Sequence, residues 1–277
     1  MKQKRVLTIQ DYSCLGRCSL TVALPTLSAA GIEAVGLPTS VLSNHTAFPS
    51  WTWVDTLPSL IEAPSKWEGY VDGFDAIYTG YLATAQVPLA LDLIHRYRKE
   101  ASLIFVDPAF ADGGKLYAGF KEDHIGALRQ LMEEADLAKP NITEACLLTG
   151  TPYPSSAPSD SFLEELIRKV SSLGPKKVVL SGIEREGQIG CLILEEGKAS
   201  SFFEKAHRSA HGTGDLFSSA MLAAYLRGAS LFSSAHLAAI YVACSLSYNE
   251  EDGVDGKIYG PEFEKAIPYF IKALGLL

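Results

Sequence analysis

Short apolar, β-branched runs alternate along this chain with longer segments of helical spacing, and that alternation restricts the fold more than any other feature. Val6, Leu7 and Ile9 open a strand over Arg5–Asp11, followed by a loop, Tyr12–Arg17, and a helix over Ser19–Ala30. Pro25 inside that helix predicts a kink or a late start, and Gly31 ends it as a glycine just past a helix does. Further strands are expected at Glu33–Leu42, Ala76–Thr79, Leu103–Asp107, Leu137–Pro140 and Val178–Ile183. Helices are expected between them at Gln86–Lys99, Glu122–Ala135 and Ser161–Ser172. Such alternation produces parallel βαβ units and a mostly parallel sheet covered by helices on both faces. Gln188–Glu195 and Ala199–Lys205 depart from it as a hairpin turning through Glu196-Gly197-Lys198. Three helices close the chain, at Asp215–Arg227, Ser233–Tyr248 and Pro261–Leu274. No Ser/Gly linker, repeat or low-complexity tract interrupts the 277 residues, so one α/β domain over 1–277 is expected.

Charge and cysteine content narrow the function classes. Lys and Arg number 24 against 32 Asp and Glu, a net −8, with no basic cluster. Nucleic-acid binding is therefore not expected, because phosphate neutralisation needs concentrated positive charge. No apolar run is expected to span a membrane; the longest candidate, around Leu237 to Leu246, is broken by polar residues. The short apolar stretch after Lys2-Gln3-Lys4-Arg5 stops at Asp11, too soon for a signal peptide, so a soluble cytoplasmic protein is expected. Five cysteines at no framework spacing suit free thiols in a reducing compartment. Cys14 and Cys18 lack a neighbouring second Cys/His pair and read as loop thiols, not zinc ligands.

In an open parallel sheet, ligands gather at the carboxyl ends of the strands. The sharpest feature at such a position is His211-Gly212-Thr213-Gly214-Asp215, two glycines around a threonine at the start of a small-sided helix. A helix start presents N–H groups and partial positive charge to an anion, and glycine lets a ligand come close to the backbone. Thr213 or Asp215 could equally do no more than cap the helix. A carboxylate beside such a cradle can also take a proton from an attacking hydroxyl while the amides absorb phosphate charge. No Walker-type Gly-x-x-x-x-Gly-Lys-Ser/Thr and no protein-kinase His-Arg-Asp occurs, so a phosphotransferase here is of another kind.

The alternation closing on Gly212-Thr213-Gly214-Asp215 resembles the ribokinase-like superfamily of small-molecule kinases, a three-layer α/β sandwich. Within it the chain resembles the vitamin B6 kinases, in particular the bacterial pyridoxal/pyridoxamine kinases. Six pieces in the family's order carry the resemblance nearly end to end. They are Asp11-Tyr12-Ser13, Ser43-Asn44-His45-Thr46, Thr79-Gly80-Tyr81-Leu82, Asp107-Pro108 leading to Asp112, Pro140-Asn141-Ile142-Thr143-Glu144, and Gly212-Thr213-Gly214-Asp215.

The resemblance implies ATP-dependent phosphorylation of the 5′-hydroxymethyl group of pyridoxal, pyridoxamine or pyridoxine. It makes Asp215 the base facing that hydroxyl, and Gly212, Thr213 and Gly214 the anion hole for the transferred phosphoryl group. Ser13, Thr46 and Tyr81 would line the pyridine pocket, with His45 beside them. Asp107, Asn141 and Glu144 would serve the nucleotide and its magnesium, with Asp112 nearby; Asp107, Asp112 and Glu144 are the expected metal ligands. Ser181 stands where some relatives carry a lysine reaching the nucleotide. ATP, Mg²⁺ and a monovalent cation such as K⁺ are the implied cofactors, and a homodimer the implied assembly. The remaining histidines, His95, His124, His207 and His236, read as structural or exposed. Three other readings compete. The hydroxymethylpyrimidine kinases of thiamin synthesis generally show a cysteine where Asp215 stands and a methionine near Tyr81. Sugar kinases carry an inserted β-lid that this chain lacks after its first strand. A non-catalytic binder of pyridoxal phosphate would need neither a base nor a metal network.

Overall fold

A computed structural model describes residues 3–277. Its strands in chain order are β1 (Arg5–Leu15), β2 (Glu33–Asn44), β3 (Trp53–Asp55), β4 (Phe74–Thr79), β5 (Arg98–Val106), β6 (Ala111–Asp112), β7 (Lys115–Leu116), β8 (Leu137–Ala138), β9 (Lys177–Arg185), β10 (Gln188–Glu195) and β11 (Lys198–Lys205). The helices are α1 (Leu20–Ala29), α2 (Leu57–Leu60), α3 (Ala63–Trp67), α4 (Val87–Tyr97), α5 (Glu122–Glu134), α6 (Ile142–Thr149), α7 (Asp160–Ser171), α8 (Thr213–Leu226), α9 (Leu231–Asp252), α10 (Gly256–Tyr259) and α11 (Phe263–Ala273). The chain divides into two compact units, residues 1–66 with 204–277, and residues 67–203.

In the first unit β1 runs parallel to β2, and β3 closes the edge antiparallel. α1 packs on both long strands and on α8, and α9 packs between α8 and α11. Small residues make the close approach of α8 possible: Ser218, Ser219, Ala220, Ala223 and Ala224 are all buried. α9 is long and apolar enough, by length and composition, to cross a membrane. The expectation that no run reaches that length is thus corrected, although Leu231, Ala235, Ala238 and Tyr241 are spent as core against neighbouring helices.

In the second unit β4, β5, β8 and β9 are parallel, β10 returns antiparallel to β9, and β11 lies outside β10. Its core is made of fully buried β-strand residues such as Ile77, Tyr78, Phe105 and Val179, with α4, α5 and α7 supplying Leu93, Leu131 and Leu166. The hairpin from β10 to β11 forms where expected. Glu196 and Gly197 both take positive φ, 52° and 76°, as the favoured two-residue hairpin turn requires.

Four sequence expectations shift. β1 continues through the expected loop to Leu15, because Tyr12, Ser13 and Leu15 keep pairing with β2 after a register shift beyond Gln10. α4 stops at Tyr97 and β5 begins at Arg98, whose guanidinium is anchored by Glu134 and Asp136. Asn141 caps a further helix, α6, which the expected elements between Pro140 and Ser161 do not include. Pro25 is carried inside α1, which starts at Leu20 and not later.

Candidate active site

In the first unit, the end of β1, the bend before α1 and the start of α8 come together around two carboxylates. Asp11 is buried on β1; the hydroxyl of Ser13 donates to its Oδ2 at 3.1 Å and that of Ser19 to its Oδ1 at 2.5 Å. Burial raises the Asp11 carboxyl above its ordinary range, and the two hydroxyl donors oppose that rise. Ser19 occupies the N-cap position of α1 at φ 48° and ψ −129°, and its side chain makes no cap bond. Its backbone N–H instead donates to Asp215 Oδ2 at 2.9 Å. The Cys18 thiol is pushed well up, by burial first and then by Asp11 and Asp215, so it stays a thiol.

Asp215 sits in the first turn of α8, behind Gly212 at φ 81°. A Cβ on Gly212 would lie 2.0 Å from the Arg17 carbonyl oxygen, so the turn can form only with glycine there. Thr213 donates its hydroxyl to Ala210 O at 3.1 Å, and Gly214 is exposed at the helix start. A helix of 14 residues ending its N–H groups here favours an anion. His211 stacks on His45 with centroids 4.0 Å apart. His45 is buried; its Nδ1 accepts from Ala47 N at 3.2 Å, which leaves Nε2 as the donor to Ile258 O at 2.8 Å. Burial lowers His45, and burial plus the neighbouring His45 lowers His211 to about 4. Both rings are thus neutral. Thr46, next in the chain, is exposed.

The second unit holds the other expected residues. Asp107 ends β5 and pairs with Lys139 at 2.9 Å, both nearly buried. Glu144 and Asn141 form a reciprocal cap on α6. Asn141 Oδ1 accepts from Glu144 N at 2.9 Å, and Glu144 Oε2 accepts from Asn141 N at 2.8 Å. Glu144 Oε1 accepts from Phe110 N at 2.9 Å, and Asn141 Nδ2 donates to Ala111 O at 2.8 Å. Burial and then Asp107 raise the Glu144 carboxyl to about 7, against Lys139 and the two N–H donors. Ser181 is bridged to Asn141 and donates its N–H to Pro140 O at 3.0 Å. Tyr81 is half-buried over Phe120, which stacks flat on buried His124 at 3.9 Å. Burial takes His124 down to about 4.

Asp112, the last residue of β6, is exposed, with its Oδ1 accepting from Gly113 N at 2.8 Å. Among the described residues, no three His, Cys, Asp or Glu side chains are grouped to hold a metal ion. Asp107 and Glu144 are already held by Lys139 and by backbone N–H groups. The expected ligands Asp107, Asp112 and Glu144 are thus not gathered into one cluster, and the two buried ones already carry protein partners. The sequence assigned no role to Lys139, Asp11, Ser19 or His211, although Asp11 and His211 stand inside the sequence motifs and Lys139 is a lone charge between Leu137-Ala138 and Pro140.

The mostly parallel α/β fold and the Gly-Thr-Gly-Asp helix start agree with the resemblance to the ribokinase-like class. The sequence model of the phosphomethylpyrimidine kinase family matches residues 24–260, and the chain belongs to that family. It is 28% identical over 194 residues to the pyridoxal kinase PdxY of Pasteurella multocida. That match covers 67% of this chain and 65% of the relative, so the chain spans about two thirds of that kinase's length. Among solved structures, a Bacteroides thetaiotaomicron protein provisionally assigned as a phosphomethylpyrimidine kinase, in a crystal form with pyridoxal, superposes with a TM-score of 0.91. It is 30% identical, over 97% of this chain and 96% of the other. Pyridoxal kinase from Lactobacillus plantarum superposes with a TM-score of 0.89 at 28% identity, over 97% of each chain.

Proposed function

We propose that the chain transfers the γ-phosphoryl group of ATP to the 5′-hydroxymethyl oxygen of pyridoxal, pyridoxamine or pyridoxine. The observation that carries this reading is Asp215, fixed at the start of α8 by the Ser19 N–H and set beside an anion-favouring turn. The Asp215 carboxylate takes the hydroxyl proton as the oxygen forms its bond to the γ-phosphorus. The bond from that phosphorus to the bridging oxygen breaks, and ADP leaves. Amides at Gly212, Thr213 and Gly214 meet the charge growing on the transferred group, where positioning and electrostatics do most of the work.

Tyr81 and Thr46 serve the acceptor, Tyr81 through a flat apolar face with a polar tip. Ser13 acts through Asp11, to which its proton is already given. His45 keeps the loop in place, since both of its ring nitrogens bind within the protein. Asp107, Asn141, Glu144 and Ser181 shape the nucleotide side. Mg²⁺ arrives on the nucleotide, whose phosphates suit it, and no step is assigned to a metal held by Asp107, Asp112 or Glu144. The family match, running across every boundary between the two units, supports one kinase domain over 1–277. The same resemblance supports a cytoplasmic homodimer that uses K⁺ or a similar monovalent cation.

The family's name favours a second acceptor, hydroxymethylpyrimidine. Asp215 and Tyr81, where pyrimidine kinases generally show cysteine and methionine, favour the B6 vitamers. Release of ADP, measured with each vitamer and with hydroxymethylpyrimidine under ATP and Mg²⁺, tests this. Turnover with at least one vitamer well above that with the pyrimidine is expected; the reverse ranking would replace the acceptor, and no turnover with either would end the kinase reading.

A further inference from the structure

Ser19 has a backbone conformation that side chains with a Cβ rarely adopt, φ 48° with ψ −129°, one that glycine takes without cost. It also stands at the N-cap of α1, where a serine hydroxyl usually binds the helix's own amides. Neither preference is met. The hydroxyl turns back to Asp11 at 2.5 Å, and the backbone N–H, in this unusual orientation, reaches Asp215 Oδ2 at 2.9 Å. Asp11 is in turn fixed through its second oxygen by Ser13 and is almost entirely buried, so it cannot swing to another partner. The Arg17 carbonyl abutting Gly212 holds the bend at a set distance from α8.

We infer that Asp11 and Ser19 form a positioning clamp: Asp11 anchors the Ser19 hydroxyl, which keeps the Ser19 N–H turned onto Asp215 and fixes the plane of its carboxylate. The clamp rests on Asp215 being the base. Ser19 and Asp11 touch neither acceptor nor nucleotide in this scheme, so their loss changes the orientation of the base and leaves binding intact. The tether is needed only because residue 19 carries a Cβ. With glycine there, the bend is accessible without Asp11.

Steady-state kinetics with pyridoxal and ATP on Ser19→Ala, Ser19→Gly, Asp11→Asn and the Ser19→Gly/Asp11→Asn pair test this, with folding checked by thermal melts. Ser19→Ala is expected to lower kcat by about ten- to a hundredfold, the scale of misplaced catalytic groups, with both KM values within about twofold. Ser19→Gly is expected to recover most of that loss. Asp11→Asn is expected to reduce kcat in the parent chain but to add less than about twofold in the Ser19→Gly chain, a coupling that a purely structural role would not produce. Ser19→Gly as impaired as Ser19→Ala, an unchanged Ser19→Ala, or an equal Asp11→Asn effect in both chains would each overturn the clamp. Should Ser19→Ala not fold, the comparison of Asp11→Asn in the two chains decides alone. Wild-type turnover in Asp215→Asn would instead remove the base itself, a separate failure.

Discussion

Each unit holds a non-glycine residue in a left-handed backbone conformation beside a buried carboxylate: Ser19 at φ 48° near Asp11, and Ala109 at φ 46° before Phe110, whose N–H meets Glu144. The two differ in where the hydrogen bonds end. Around Glu144 the circuit closes on itself. Both carboxylate oxygens bind backbone N–H groups, Asn141 answers in a reciprocal cap, and Asp107 is matched by Lys139. Around Asp11 the circuit leads outward, through Ser19 to Asp215, which is only partly buried and sits at a helix start. A closed circuit gives rigidity, whereas one that ends on a half-exposed carboxylate can deliver chemistry. Strain thus marks both places, but only the Asp11 circuit ends on a partly exposed carboxylate at a helix start.

The largest expected effect lies on the open circuit. Asp215→Asn keeps size and capping ability, so folding and ATP affinity should persist while kcat falls about a hundred- to ten-thousandfold. Steady-state rates beside an ATP titration check it, and a near-silent variant would reduce Asp215 to a helix cap. On the closed circuit the damage should be to stability. Lys139→Met leaves Asp107 and Glu144 buried without their cation, and should cost about 3–5 kcal/mol in urea unfolding. A loss below about 1 kcal/mol would mean the pair is not buried as described.

Two glycines sharpen the contrast further. Gly212→Ala meets the Arg17 carbonyl at 2.0 Å and should lower both stability and kcat, by more than about 2 kcal/mol in unfolding. Gly150→Ala, at φ 69° with open space around it, should cost about 1 kcal/mol and leave kcat alone. Tyr81→Ala should raise the KM for pyridoxal about tenfold and that for ATP much less; the opposite ratio would exchange the two pockets.

The smallest effect is pH dependence. His124 is held neutral, near 4 in the fold against an ordinary 6.5, so the unfolded chain takes up its proton first. Its share of stability is full above about 6.5 and is lost as pH falls toward 4, on the order of 2 kcal/mol. Glu144, raised to about 7, tilts the other way, adding stability as pH falls below that value. Unfolding curves at pH 5 and 7 should therefore show a shallower acid loss in His124→Gln than in the parent, since only the histidine's share differs.

Much of the fold could be read from the chain, because β-branched runs such as Val178–Ile183 and the Glu196-Gly197 turn carry local signals that packing did not override. The extension of β1 to Leu15 could not, since Cys14 and Leu15 are exposed and only pairing with β2 makes them a strand. The Gly212–Asp215 helix start was legible from its residue types alone. Ser19 was not. Its role depends on a positive φ and on a partner 196 residues away, neither of which leaves a mark in the sequence. The surroundings of the expected metal ligands were hidden for a related reason. Residue type suggested Asp107, Asp112 and Glu144 as ligands, but Lys139 and two backbone amides had already claimed the two buried carboxylates.

The central claim is phosphoryl transfer to the 5′ oxygen of a B6 vitamer, and a single-turnover experiment tests it most directly. The full chain in excess over ATP labelled at the γ-phosphorus is mixed with pyridoxal, with 4-deoxypyridoxine or with 5-deoxypyridoxal, and the labelled product is separated. Label should appear on the first two, which carry a 5′-hydroxyl, and not on the third. Label on 5-deoxypyridoxal, or none on any vitamer while hydroxymethylpyrimidine is labelled, would contradict the assignment.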